Sequence, residues 1–172
     1  MELQRAKGTR DFLQDEKFLR NKIISIIKEG FELYGFNEIE TPTLERYDLL
    51  QSKYAGGAEI LKETFKLKHQ GNRELALRND LTVPLSRVIG MNQQLKMPVK
   101  FYQIGKVFRD GPVEKGRARE FYQCDADIVG TDSVLAETEL LNLANYVYGK
   151  LGFKFIIKVN DRRILNEIIK YS

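Results

Sequence analysis

Two ten-residue runs, KFYQIGKVFR at 100–109 and EFYQCDADIV at 120–129, flank the segment DGPVEKGRAR. Both runs are rich in aromatic and β-branched residues, which favour extended chain. The segment between them carries glycine, proline, lysine and arginine and has no apolar periodicity. An antiparallel strand pair joined by a long basic loop is the simplest fold for this stretch.

Helical spacing of Leu19, Ile23, Ile26 and Ile27 predicts a helix from Asp15 to Tyr34, with Gly35 as its C-terminal cap. Alternation at Glu38–Thr41 predicts a short strand ended by Pro42. Thr64 to Arg78 reads as a hairpin: Phe65 and Leu67 alternate outward, Gln70–Asn72 turns, and Leu75 and Leu77 alternate back. A helix follows from Thr82 to about Asn92, with Asp80 or Thr82 as cap and Pro84 tolerated in the first turn. Leu140, Leu143, Val147 and Leu151 form one face of a helix over Ser133–Leu151, closed by Gly152. Phe153, Phe155, Ile157 and Val159 alternate as a further strand, and a last helix starts near Asp161. The elements predict an α+β fold with a mainly antiparallel sheet flanked by helices, and no repeat or linker divides the 172 residues.

Composition narrows the chemistry. The single cysteine, Cys124, excludes an internal disulfide framework and a multi-cysteine zinc site. The single histidine, His69, leaves little room for a histidine triad or metal centre. No run reaches the roughly 18 apolar residues of a membrane helix, and the N-terminus lacks an apolar signal core. A cytoplasmic protein with no membrane partner is expected. Net charge of +4 implies mild attraction to polyanions and no more.

Period two on the second strand puts Phe121, Gln123, Asp125 and Asp127 on one face, and Tyr122, Cys124, Ala126 and Ile128 on an ordinary core face. A ring, an amide and two carboxylates in a row suit a polar ligand floor, although a solvated sheet face has the same composition. Ala76, Arg78 and Asp80 share a face opposite Leu75 and Leu77. Arg109 at a strand end and Arg117 across the turn are placed to grip phosphate oxygens, with Phe121 offering its face to a base. Arg119 reads as a solvated loop charge. Lys115 and Arg117 beside Gly116 are equally suited to a nucleic-acid backbone.

KGTRDF, YGFNEIETPTLE, LRNDLT and FRDGPVEKGRAREFYQCDADIVG together resemble the catalytic core of histidyl-tRNA synthetases. The closing KVNDRRIL is similar to the archaeal and eukaryotic form. YGFNEIETPTLE resembles class II motif 1, with Pro42 at its proline, and FR followed by GRAREF resembles motif 2. The resemblance implies that residues 1–172 form part of a class II synthetase core, with a six-stranded antiparallel sheet. It also implies ATP and Mg2+, a histidine–tRNA ligase reaction through histidyl-adenylate, the partners histidine and tRNA(His), and a homodimer built on Phe36, Ile39 and Leu44 around Pro42. By position, Arg109 is the catalytic residue at the α-phosphate, Arg117 meets the distal phosphates and Phe121 stacks on adenine. Asp80, Thr82 and Gln123 hold the substrate amine, and Asp127 accepts from its imidazole.

One departure is local. The acid that usually follows the first motif 2 arginine by two places is Gly111 here, so Asp110 or backbone groups have to serve instead. Motif 3 and the anticodon-binding domain have no counterpart in these residues. Charging activity is therefore expected to need that C-terminal half, in cis or as a separate chain. Two other readings remain at this point: the non-catalytic synthetase-like regulatory subunit of ATP phosphoribosyltransferase, and a basic RNA-binding module.

Overall fold

The computed structural model describes residues 2–53, 61–68, 70–71 and 73–170; His69 and Asn72 lie outside the described residues. The long strand pair forms as expected. β5 (Val99–Phe108) runs antiparallel to β6 (Glu120–Val129) over ten paired positions, from Val99 opposite Val129 to Phe108 opposite Glu120. On the other edge of β5 lies β1 (Asn37–Glu38), which is parallel to it. The order in this sheet is β1-β5-β6. A second sheet has the order β2-β4-β3, all antiparallel, from β2 (Leu44–Arg46), β3 (Lys66–Lys68) and β4 (Glu74–Leu77). Among the described residues the fold is thus α+β with two three-stranded sheets, one of them mixed. The expected mainly antiparallel sheet is met only in part, and the six-stranded sheet is not present as one unit.

Helices α1 (Gln14–Leu33) and α4 (Val134–Lys150) cover one face of the first sheet. Phe31, Phe36, Tyr102, Leu143 and Val147 are the buried centre, and Cys124, Ala126 and Ile128 pack against it. The expected core side of β6 is therefore right for those three residues. It is wrong for Tyr122, which is exposed and takes the Arg20 guanidinium 5.2 Å from its ring centroid. All four residues of the expected α4 stripe join this core, and Ser133 caps the helix by accepting from the Leu135 N–H. Gly30 lets the two helices meet, since a Cβ there would sit 2.6 Å from a Val147 methyl. Burial raises the Tyr102 hydroxyl to about 12, helped by its bond to Glu32. Burial likewise raises the Cys124 thiol to about 11, which leaves it a weak nucleophile.

Helices α2 (Tyr47–Lys53) and α3 (Thr82–Met91) belong to the second sheet's side, where Tyr47, Leu50, Ala76 and Val83 form a smaller core. Asp80 anchors the start of α3 by accepting from the Val83 N–H at 3.0 Å, and Pro84 is buried in the first turn. Two expectations fail here. Phe36 is only 3% exposed in the main core, so it is unavailable to an interface with a second copy. Residues 153–159 alternate but pair with no described strand; Ile156 and Val159 are exposed, and Phe155 rests on Tyr148. Alternation marks a strand only where an edge is present to receive it. The last helix, α5 (Arg162–Lys170), follows.

Candidate functional site

The loop between β5 and β6 is tied down at three places. Arg109 N–H donates to the Arg119 carbonyl at 2.9 Å, and the Glu114 and Arg117 backbones bond reciprocally around Gly116, whose φ is +84°. Arg119 N–H in turn donates to the Gly8 carbonyl at 2.8 Å. Gly8 has φ +84°, and a Cβ on it would meet Arg119 Cγ at 2.8 Å, so this position requires glycine twice over. The Arg119 side chain donates to the Gly111 carbonyl and pairs with Asp110 at 3.2 Å. Arg119 is therefore a strut that binds the N-terminal segment to the loop, which corrects its reading as a solvated charge. Asp110 is committed to that strut, so it is not placed to stand in for the acid missing at 111.

Arg109, Arg117 and Phe121 line one cleft, together with Glu63 and Gly111. The Arg109 guanidinium lies 5.1 Å from the Phe121 ring centroid, and its Nε donates to the Asn79 carbonyl at 3.1 Å. Among the described residues neither Arg109 nor Arg117 has a carboxylate partner. Two cations that no described carboxylate pairs with, beside an aromatic face, make a site suited to a planar group that carries phosphates.

The polar face of β6 holds Gln123, Asp125 and Asp127 beside Phe121, as the alternation predicts. Gln123 Nε2 donates to Asp125 Oδ2 at 2.9 Å, while Gln123 Oε1 is buried with no partner. A buried acceptor without a partner costs about 1–3 kcal/mol, and a donor from a ligand would remove that cost. Residues 78–81 run along β5, opposite β6. Phe108 N–H donates to the Arg78 carbonyl, Arg109 donates to Asn79, and Gln103 Nε2 donates to the Leu81 carbonyl at 3.1 Å. Asp80 and Thr82 are thereby held on the β5 side of the floor, with Gln123 and Asp127 on the β6 side.

Arg78 departs from its expected place on the ligand floor. It is 6% exposed, and its guanidinium donates to the Lys106 carbonyl and to the carbonyl and hydroxyl of Thr41. Its job is to join the two sheets. Glu63 is the residue that the sequence reading missed. It sits in the turn before β3, where its carbonyl accepts from the Asp110 N–H at 2.7 Å and its carboxylate lies against Gly111. The sequence signal was indirect: glycine at 111 leaves room that another residue fills.

Residues 8–171 match a protein family described as histidyl-tRNA synthetase. A "Histidine--tRNA ligase 1" of Bacillus cereus is 52% identical over 170 residues, which is 99% of this chain and 40% of that protein. The fold is similar to an "ATP phosphoribosyltransferase regulatory subunit/histidyl-tRNA synthetase" from Bacillus halodurans, with a TM-score of 0.79, 26% identity, and coverage of 90% of this chain and 39% of that one. It is also similar to histidyl-tRNA synthetase from Nostoc sp. PCC 7120, with a TM-score of 0.74, 31% identity, and coverage of 87% and 34%. These relatives are bacterial, so the archaeal and eukaryotic likeness expected from KVNDRRIL is not supported. The chain spans about 40% of the length of the curated relatives it matches. Among the described residues no helix is long and apolar enough to cross a membrane.

Proposed function

The chain belongs to the histidyl-tRNA synthetase family, and from that premise we propose that it forms the ATP- and histidine-binding part of a class II histidine–tRNA ligase core. The observation that carries this reading is the cleft in which Arg109, Arg117 and Phe121 meet with no internal carboxylate on either cation. In this reading Arg109 holds the α-phosphate and offsets charge that develops as the histidine carboxylate attacks it. Arg117 reaches the distal phosphates and Phe121 stacks on the base. The orphaned Gln123 Oε1 accepts from the substrate ammonium, alongside Asp80 and Thr82. Asp127 accepts from the imidazole N–H, which penalises amino acids that lack such a donor.

Magnesium is a family expectation. Among the described residues no three His, Cys, Asp or Glu side chains gather into a metal site, and Mg2+ would act together with the nucleotide at its phosphates. It would supply charge neutralisation there. Transfer to tRNA(His) is proposed for the assembly that includes the C-terminal half.

Calorimetric titration of histidine, with and without ATP, tests the proposal. Histidine binding that tightens when ATP is present is the expected result. The Bacillus halodurans neighbour's double name favours weighing the regulatory-subunit reading, which calls for indifference to ATP at this cleft. A basic RNA-binding module would bind RNA with steep salt dependence and ignore both small molecules.

We also propose a homodimer through the motif 1 segment, where Pro42 is exposed and Leu44 is 50% exposed. Light scattering at micromolar concentration should report twice the chain mass. A strictly monomeric species would remove this interface from the chain's repertoire.

A further inference from the structure

We propose that Glu63 reads the base of the bound nucleotide and makes the site select an amino-purine over an oxo-purine. This rests on the nucleotide reading above and names the group that would set its base specificity. The cleft divides by chemistry into three parts. Arg109 and Arg117 are suited to the polyphosphate, and the Phe121 ring to the flat face of a base. Among the described residues the remaining polar side chain on the lining is Glu63, and no described hydrogen bond or ion pair engages its carboxylate. An ionised carboxylate is an acceptor only. Next to a stacked purine it pairs with an exocyclic amine and repels an exocyclic carbonyl oxygen.

Position 111 makes this arrangement possible. A Cβ on Gly111 would lie 2.7 Å from Glu63 Oε1 and 2.9 Å from its carboxyl carbon. A side chain at 111 and the Glu63 carboxylate therefore compete for one volume. The chain has placed the acid on the turn before β3 instead of on the loop. The turn is held in register by the 2.7 Å bond from Asp110 N–H to the Glu63 carbonyl, so the carboxylate is delivered by the backbone that also sets the loop. Asp110, the neighbouring acid, is paired with Arg119.

The experiment titrates the wild-type chain, Glu63→Gln and Gly111→Ala by calorimetry with ATP and with ITP, which has the same phosphates and a carbonyl oxygen in place of the amine. The wild type should prefer ATP by about tenfold, the usual consequence of setting a charged acceptor against a donor or against another acceptor. In Glu63→Gln the preference should shrink to about twofold, because an amide can present either its oxygen or its N–H to the base. Gly111→Ala should narrow it as well, with Glu63 intact but displaced. Equal binding of ATP and ITP by the wild type overturns the inference, and so does an undiminished preference in Glu63→Gln. Binding of neither nucleotide by the wild type overturns the nucleotide reading itself. That result is distinct, because a failure of Glu63 alone leaves ATP binding in place.

Discussion

Arg109→Lys should weaken ATP binding by about tenfold or more, although the charge at this position is kept. The guanidinium makes two kinds of contact that an ammonium cannot reproduce together. Its Nε is already used by the Asn79 carbonyl, which aims the planar group, and its plane lies beside the Phe121 ring. The two outer nitrogens have no described partner, which leaves them available to grip a phosphate with parallel hydrogen bonds. Lysine offers a point charge on a flexible stem, so it must give up either the Asn79 carbonyl or one phosphate oxygen. A hydrogen bond to a charged group contributes about 1.5–3 kcal/mol, which corresponds to a factor of roughly ten to a hundred in affinity. Calorimetry on the folded variant reads the effect directly. An unchanged ATP affinity would put Arg109 outside the phosphate site and leave it as a support for residue 79.

The parts of this molecule that were legible in the sequence are those with a long, repeated signal. The pairing of β5 with β6 and the α4 stripe each rest on ten or more residues with one consistent period, so packing and pattern agree. The cleft residues Arg109, Arg117 and Phe121 were legible because they flank a single hairpin, and local geometry brings them together. What was missed is either short or non-local. A short strand was legible near Glu38, but β1 starts one residue earlier and ends there, and its parallel pairing with β5 leaves no trace in the pattern. Phe36 lies within the motif 1 segment in sequence, yet it follows the turn after α1 into the core. Glu63 approaches Gly111 from a distant part of the chain, through a turn with no pattern of its own. Tyr122 occupies a core-side position near the sheet's end, where α1 presents Arg20 instead of an apolar side chain.

The largest loss of stability should come from Arg78→Met, at about 3–5 kcal/mol. Past Tyr102, β5 has no further pairing with β1, so its edge needs other partners. Arg78 supplies several of them at once. Its carbonyl accepts from Phe108 N–H at 3.0 Å, its Nε donates to the Lys106 carbonyl at 2.8 Å, and its own N–H donates to the Thr43 carbonyl. From the same guanidinium, Nη1 donates to the Thr41 carbonyl at 2.7 Å and to the Thr41 hydroxyl at 3.1 Å. One residue at the end of β4 thus joins the edge of the first sheet to the motif 1 segment. Burial pulls the Arg78 pKa below its ordinary value, and the nearby Glu40 charge works the other way. The group still stays charged near neutral pH, because an arginine starts far above it. Gly105 completes the arrangement, since a Cβ there would collide with Arg78 Nη2. Methionine fills much of the same space but donates nothing, so the Lys106 and Thr41 carbonyls lose charged donors inside the fold. At about 1–3 kcal/mol for each buried group left unpaired, two carbonyls account for the expected loss. Arg78→Lys should recover only part of it, because one ammonium is poorly shaped to serve Lys106 and Thr41 together. Urea unfolding should show both midpoints falling with the slope unchanged, methionine further than lysine. A methionine variant within about 1 kcal/mol of the wild type would mean that the two sheets are held together by apolar packing, with Arg78 a passenger between them.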